Sequence, residues 1–306
     1  MGSGRIVGAV TTALLGGALA VGGTVVVAPT AAAATAAQAH SSTGQVHASP
    51  AKHTKHADTV DFTGIVALDD CSGSLVKATN SADNDPALVL TNGHCYEGGF
   101  LEPGQVIVDQ PSSRSITLLD STGKKQVGTV QATKVSYATM TDTDITLYQL
   151  NTSYAQIEQK YGVHPLAIAS DHPKQGADIR VVSGYWQQIY SCGIDGFAYE
   201  LEENGWTWKD AVRYTPACHV IGGTSGSPVI DTATDEVVAI NNTTNENGEQ
   251  CTLDNPCEVD ANGNVTVHQG IGYAEETYEI DKCVDAGNTL DLNAAGCTLP
   301  KPSSGS

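Results

Sequence analysis

Short apolar runs separated by turn-forming residues recur along the chain from residue 60 to residue 273, the pattern of a protein built from strands. Phe62, Ile65, Val66 and Leu68 supply the first run, and Cys71-Ser72-Gly73-Ser74-Leu75-Val76 follows it. A polar insertion at 80–86 precedes a strand at 87–91. Further strands are predicted at 105–108, 115–119, 128–137 and 145–150, several with polar and apolar residues alternating as a half-buried strand requires. Residues 154–161 form a mixed stretch that suits a short helix. The second half resumes with Asp178-Ile179-Arg180-Val181-Val182-Ser183, followed by Gly184-Tyr185-Trp186. Phe197, Tyr199, Trp206, Trp208 and Tyr214 then mark a hairpin in which Trp206 and Trp208 share a face. Strands at 237–240 and 265–273 complete an all-β series, Gly270 and Gly272 allowing a tight approach in the last. Beyond residue 278, Cys283 and Cys297 bracket 288–293, so a disulfide-held extension is expected there rather than a free tail.

Upstream, Arg5, a small-residue apolar run at 6–27 and Ala37-Gln38-Ala39 read as an export signal over 1–39, cleaved before His40. A membrane anchor is the rival, since the run approaches spanning length; its glycines and alanines, and the alanine-rich stretch behind it, favour removal. Residues 40–59 lack any apolar period and read as a flexible leader or short pro-segment. The charge balance, 34 acidic against 15 basic residues and a net charge of -19, repels phosphate backbones and excludes nucleic acid as a partner. Eight cysteines lie downstream of the signal, none in a C-x-x-C arrangement, which suits an oxidising compartment and argues against a cysteine zinc site. Pairing nearest neighbours gives Cys71 with Cys95, Cys192 with Cys218, Cys251 with Cys257 and Cys283 with Cys297. Cys218 with Cys251 competes.

Three stretches carry candidate chemistry. In Gly222-Gly223-Thr224-Ser225-Gly226-Ser227-Pro228 a serine flanked by glycine sits on a tight turn with its hydroxyl open, as an acyl-transfer nucleophile requires. Leu90-Thr91-Asn92-Gly93-His94-Cys95 places a histidine beside a cysteine after an apolar run, and Asp142-Thr143-Asp144-Ile145-Thr146-Leu147 places aspartates at the head of another. Strand periodicity puts Asp142 and Asp144 on one side and does not choose between them. Ser227, held by Pro228, is the poorer nucleophile.

The order His, Asp, Ser in these settings resembles the chymotrypsin-like serine proteases, and Ser-Gly-Ser-Pro resembles their bacterial branch, which includes the glutamyl endopeptidases. The resemblance implies two six-stranded antiparallel β-barrels with the active site in the cleft between them. The barrels would span 60–150 and 178–277, with a crossover at 151–177 and the extension at 278–306. It implies Ser225 as nucleophile, His94 as base and Asp144 as the carboxylate that orients the base, Asp144-Ile145-Thr146-Leu147 matching the family pattern. The N–H groups of Gly223 and Ser225 would form the oxyanion hole, and Cys71 would pair with Cys95. The expected protein is a secreted, monomeric serine endopeptidase acting on protein or peptide, with no cofactor and no metal. A catalytically idle, peptide-binding member of the fold is the alternative.

The specificity residues depart from the family. Thr224 stands where animal enzymes carry an activating aspartate. Counting six residues back from Ser225 reaches His219 rather than an aspartate, and Asn241 replaces the histidine by which glutamyl endopeptidases hold a substrate carboxylate. His219 and Asn241 are the expected substrate-binding residues. Asp260, Asn262 and Asn264 alternate as in a calcium loop, but Val265 and Ile271 occupy the positions where its glycine and glutamate are required.

Overall fold

The computed structural model describes residues 60–303; the predicted export signal and the leader lie outside the described residues. Nearly every residue of β1 (Ile65–Ala67), β2 (Ser72–Lys77) and β3 (Pro86–Thr91) is buried. Alternation explains how. In β3, Ala87 and Val89 join a core with Leu75, Ile116, Leu118, Val135 and Tyr148. Leu88 and Leu90 enter a second core with Val76, Leu147, Val182, Ile230 and Ile240. After β4 (Val106–Pro111), β5 (Ser115–Leu119), β6 (Gln126–Thr139) and β7 (Ile145–Ser153), the order β1-β5-β6-β7-β3-β2 closes through the β1–β2 pairing into a six-stranded barrel. Closure leaves these strands no free edge.

The helix expected at 154–161 is present as α1 (Tyr154–Tyr161). Ser153 and Gln156 cap its start reciprocally and Gly162, at φ 67°, ends it. β8 (Leu166–Ala167) then runs parallel to β2.

The second half comprises β9 (Asp178–Ser183), β10 (Gln188–Glu203), β11 (Trp206–Tyr214), β12 (Pro228–Asp231), β13 (Val237–Thr244), β14 (Cys257–Val259), β15 (Val265–Thr266) and β16 (Gly272–Glu276). The order β9-β12-β13-β16-β11-β10 forms a ring through the β10–β9 pairing, around Ile179, Val181, Val212, Tyr214, Val229 and Ala239. Here the structure corrects the expected strand at 265–273. The N–H of Gly270 bonds the carbonyl of Asn245 at 2.7 Å and that of Ile271 bonds His268, so the chain turns between β15 and β16. β9 ends at Ser183, and residues 184–187 turn before β10.

All eight cysteines are joined as nearest neighbours: Cys71–Cys95, Cys192–Cys218, Cys251–Cys257 and Cys283–Cys297, so the competing Cys218–Cys251 bridge is absent. The last bridge holds α2 (Tyr278–Asp281) and the paired β17 (Val284–Asp285) and β18 (Thr289–Leu290). Tyr137 donates to the Pro300 carbonyl and the Asn288 amide to that of Pro86, tying this extension to the first barrel. No helix among the described residues is long and apolar enough to cross a membrane.

Candidate active site

β3 ends at Thr91, and the next turn sets His94 against the residue that precedes β7, Asp144. A Cβ at Gly93 would lie 2.1 Å from the Thr139 carbonyl oxygen and 2.6 Å from Asp144 Oδ1, so only glycine lets backbone and carboxylate approach this closely. Asp144 is wholly buried; its Oδ1 accepts from the His94 N–H at 2.9 Å and its Oδ2 faces His94 Nδ1 at 2.6 Å. A carboxylate only accepts, so Nδ1 carries the proton and Nε2 is left as the basic nitrogen. Burial pulls the imidazole pKa down, but the charge and hydrogen bond of Asp144, helped by the charges of Glu203 and Asp70, outweigh it and hold His94 above its ordinary value.

Asp142 does not compete. Its φ of 59° takes it out of the strand alternation, and its side chain pairs with Lys209 at 2.9 Å. The periodicity that grouped it with Asp144 begins only at Ile145.

The serine turn is braced from several sides. Ser225 accepts from the Ser72 N–H at 2.8 Å, Ser227 N–H bonds Thr224, and the buried Thr224 hydroxyl donates to Ile221. Sequence reasoning missed Asn92, whose side chain donates to the Asp144 carbonyl at 2.9 Å and accepts from the N–H of Gly226. One buried amide thus joins all three stretches. Its signal was an Asn placed immediately before Gly93-His94, able both to give and to accept. The N–H groups of Gly223 and Ser225 make no hydrogen bond among the described residues. The Ser225 hydroxyl donates to the Asn242 carbonyl at 3.4 Å and makes no bond to the His94 ring, although both side chains line one pocket. Ser227 is fully buried, out of reach of a substrate.

That pocket is also lined by Phe100, Met140, Trp206 and Leu253, and by three carboxylic residues, Glu203, Glu246 and Asp254. Glu203, at the end of β10, was not singled out from the sequence, where it is one acidic residue among many. It is 4% exposed; one oxygen accepts from the Asp254 N–H at 2.8 Å and the other, Oε2, has no hydrogen-bond partner among the described residues. Burial pushes its pKa up to about 7, against the pull of Thr243, the Asp254 N–H and the charge of His94. Glu275 is a second buried carboxyl behind the site. It accepts from the Asn242 amide at 2.8 Å, and burial, with the charge of Asp144, raises it to about 8.

Neither expected specificity residue behaves as a free pocket group. Asn241 lines the pocket but is 2% exposed, its amide donating to Thr224 Oγ1 at 3.0 Å. His219 is exposed and not part of the pocket wall, because the chain between Cys218 and Ile221 carries it outward.

An imidazole with its proton fixed on the far nitrogen, a carboxylate behind it and an open hydroxyl on the same wall can pass an acyl group to water, and define a serine-type peptidase. Residues 71–240 match the model of the trypsin-like peptidase domain. The chain belongs to that family and is a serine endopeptidase. Among solved structures it is similar to the Rv3671c protease of M. tuberculosis in its active form, at 17% identity, covering 83% of this chain and 89% of that one with a TM-score of 0.46. The MamO protease domain of Magnetospirillum magneticum is 13% identical, with 71% and 93% covered and a TM-score of 0.44. A Glu endopeptidase is 16% identical, with 71% and 85% covered and a TM-score of 0.41. No curated protein matches the chain in sequence.

Proposed function

We propose that Ser225 is the nucleophile of this peptidase, His94 its general base and Asp144 the carboxylate that orients the base, in a cleft between the closed barrel and the second ring, read as a second barrel. The bond of 2.6 Å between His94 and Asp144, on the wall that also carries Ser225, is the observation on which this reading rests. In the reaction the Ser225 hydroxyl exchanges the Asn242 carbonyl for His94 Nε2 as its acceptor. Hydrogen bonds of this kind are often long before substrate binds. An organophosphonate fluoride probe tests the reading, since it reacts only with an activated serine: one label per chain, on Ser225, is expected, and no labelling of the folded protein counts against the triad.

The N–H groups of Gly223 and Ser225, without partners of their own, are proposed to hold the oxyanion. At φ 87°, Gly223 has a conformation that L side chains rarely adopt, and a Cβ there would lie 2.9 Å from Trp186 Nε1 and 3.2 Å from the Tyr185 ring. Gly223→Val is therefore expected to turn the N–H aside and lower kcat by about 10²–10³-fold, the usual effect of losing one such donor. Steady-state kinetics beside a melting curve decide it; unchanged turnover removes the role.

Substrate preference is proposed to come from Glu203. A buried carboxyl with an unpaired oxygen, among aromatic and aliphatic walls, suits a side chain with an apolar stem and a cationic head. Glu203→Gln is expected to lower kcat/KM for Lys or Arg substrates roughly 30-fold or more, and to leave neutral ones little changed. In the parent, the ratio of basic to neutral cleavage should rise as pH passes upward through about 7, where Glu203 ionises. The His94 limb acts on both substrates and cancels in the ratio. A preference independent of both pH and the substitution would sink the assignment.

Four disulfides and the signal-like sequence at 1–39 support action outside the cell after removal of that segment.

A further inference from the structure

Away from the serine, three loops and strand ends meet at His172, Asp210 and Glu276. His172 lies in the segment between β8 and β9, Asp210 within β11 at the left-handed φ of 57°, and Glu276 at the end of β16. The Nδ1 of His172 is 2.6 Å from the Pro173 carbonyl oxygen, which can only accept, so Nδ1 carries a proton. In the neutral ring this leaves the Nε2 lone pair free, an arrangement in which histidines commonly ligate metals. Glu276 Oε1 lies 2.9 Å and Asp210 Oδ2 3.2 Å from that nitrogen, yet neither contact has hydrogen-bond geometry. The oxygens flank the nitrogen instead of capping it.

That spacing has a simple interpretation. Ligands at about 2.0–2.1 Å from a tetrahedral ion stand about 3.3 Å from one another, each off the axis of its neighbour's lone pair. The Glu276 side chain is more than nine-tenths buried and this oxygen has no donor, while Glu275 and Glu279 lie close by. The nearby cation, Lys209, is engaged by Asp142. His172 and Asp210 remain partly open to solvent, which leaves room for water as a fourth ligand. Among the described residues this is the His and carboxylate cluster that contains no disulfide-bonded cysteine.

We propose that His172 Nε2, Asp210 Oδ2 and Glu276 Oε1 bind one first-row divalent metal ion of zinc's class, which clamps the segment before β9 onto β11 and β16. One imidazole with two carboxylates suits such an ion better than calcium, which takes oxygen ligands alone. None of the three residues is among those proposed for hydrolysis, and failure of the metal site would leave the peptidase reading untouched.

The test is calorimetric titration of the full, chelator-treated protein with zinc chloride, beside the spectrum of its cobalt(II) form. The parent should bind an equivalent that His172→Ala loses, and cobalt should show the intense visible bands of a tetrahedral site. Asp210→Asn, a milder change at a partly exposed position, should weaken the same step by about 10–100-fold, which covers the case in which His172→Ala does not fold. Any weak steps from histidines elsewhere in the chain persist in both variants. The proposal is overturned if the parent takes up no zinc, or if a folded variant binds with the parent's stoichiometry and affinity. Either result would leave His172 as a neighbour of the two carboxylates with no metal between them.

Discussion

Ser225→Ala is expected to lower kcat by about 10⁶-fold, the scale on which removal of a serine nucleophile disables a triad as a unit. The fold should barely notice. The hydroxyl makes one bond, a long one of 3.4 Å to the Asn242 carbonyl, whereas the turn is held by backbone bonds that alanine keeps: Ser72 N–H to Ser225, Gly226 N–H to Asn241 and Ser227 N–H to Thr224. Loss of a single ordinary hydrogen bond changes stability by about 0.5–1.5 kcal/mol. Turnover of a peptide ester, measured with the melting temperature, separates the two effects. Alanine at 225 with near-parental turnover would show that some other group carries the acyl transfer.

Asp144→Asn should cost about 10⁴-fold in kcat by a different route. Asparagine keeps the shape but can present an NH₂ to Nδ1, which favours the tautomer whose proton sits on Nε2, where the base is needed. It also removes the Asp144 charge and hydrogen bond, leaving burial, which favours the neutral ring, opposed only by the lesser charges of Glu203 and Asp70. The sign follows from this. Activity requires neutral His94, so in the parent it is lost as pH falls through a raised pKa, and in the variant the acid limb should move to lower pH while the plateau drops. A pH profile of kcat/KM reads both at once. A lowered plateau with an acid limb that does not move would mean that Asp144 acts only as a structural anchor for the turn at His94.

The three proposed catalytic residues stand out in the sequence before any fold is known, whereas Glu203, Asn92 and His172 do not. His94, Asp144 and Ser225 each sit in a local setting that is itself unusual: a Gly-His-Cys turn after an apolar run, an aspartate opening a strand, a serine between glycines. Strand and turn chemistry act over a few neighbours, so such settings can be read from neighbours alone. Glu203 closes an ordinary alternating strand, and nothing beside it says that the pocket buries it. Asn92 was hidden in a motif already assigned to its histidine. The strand expected at 265–273 failed for the same cause, since the turn at Gly270 is held by Asn245, outside the stretch being read. The nearest-neighbour cysteine pairing succeeded because all four bridges close short stretches of chain, the longest separation being 26 residues.

The one-dimensional order of residues therefore carries the all-β character, the short helix, the cysteine partners and the three residues proposed to react, each of them a matter of short-range pattern. Which carboxyl lines the pocket, that the Asn92 amide reaches Gly226 across 134 residues and also bonds Asp144, and that His219 lies outside the pocket wall while His172 meets Asp210 and Glu276 were all settled by packing. Those contacts depend on how strands pair around a closed barrel and a ring, and on which buried polar groups find partners once they have done so. No window of neighbouring residues contains that information, because the energies that select it come from surfaces joined only when the chain has folded.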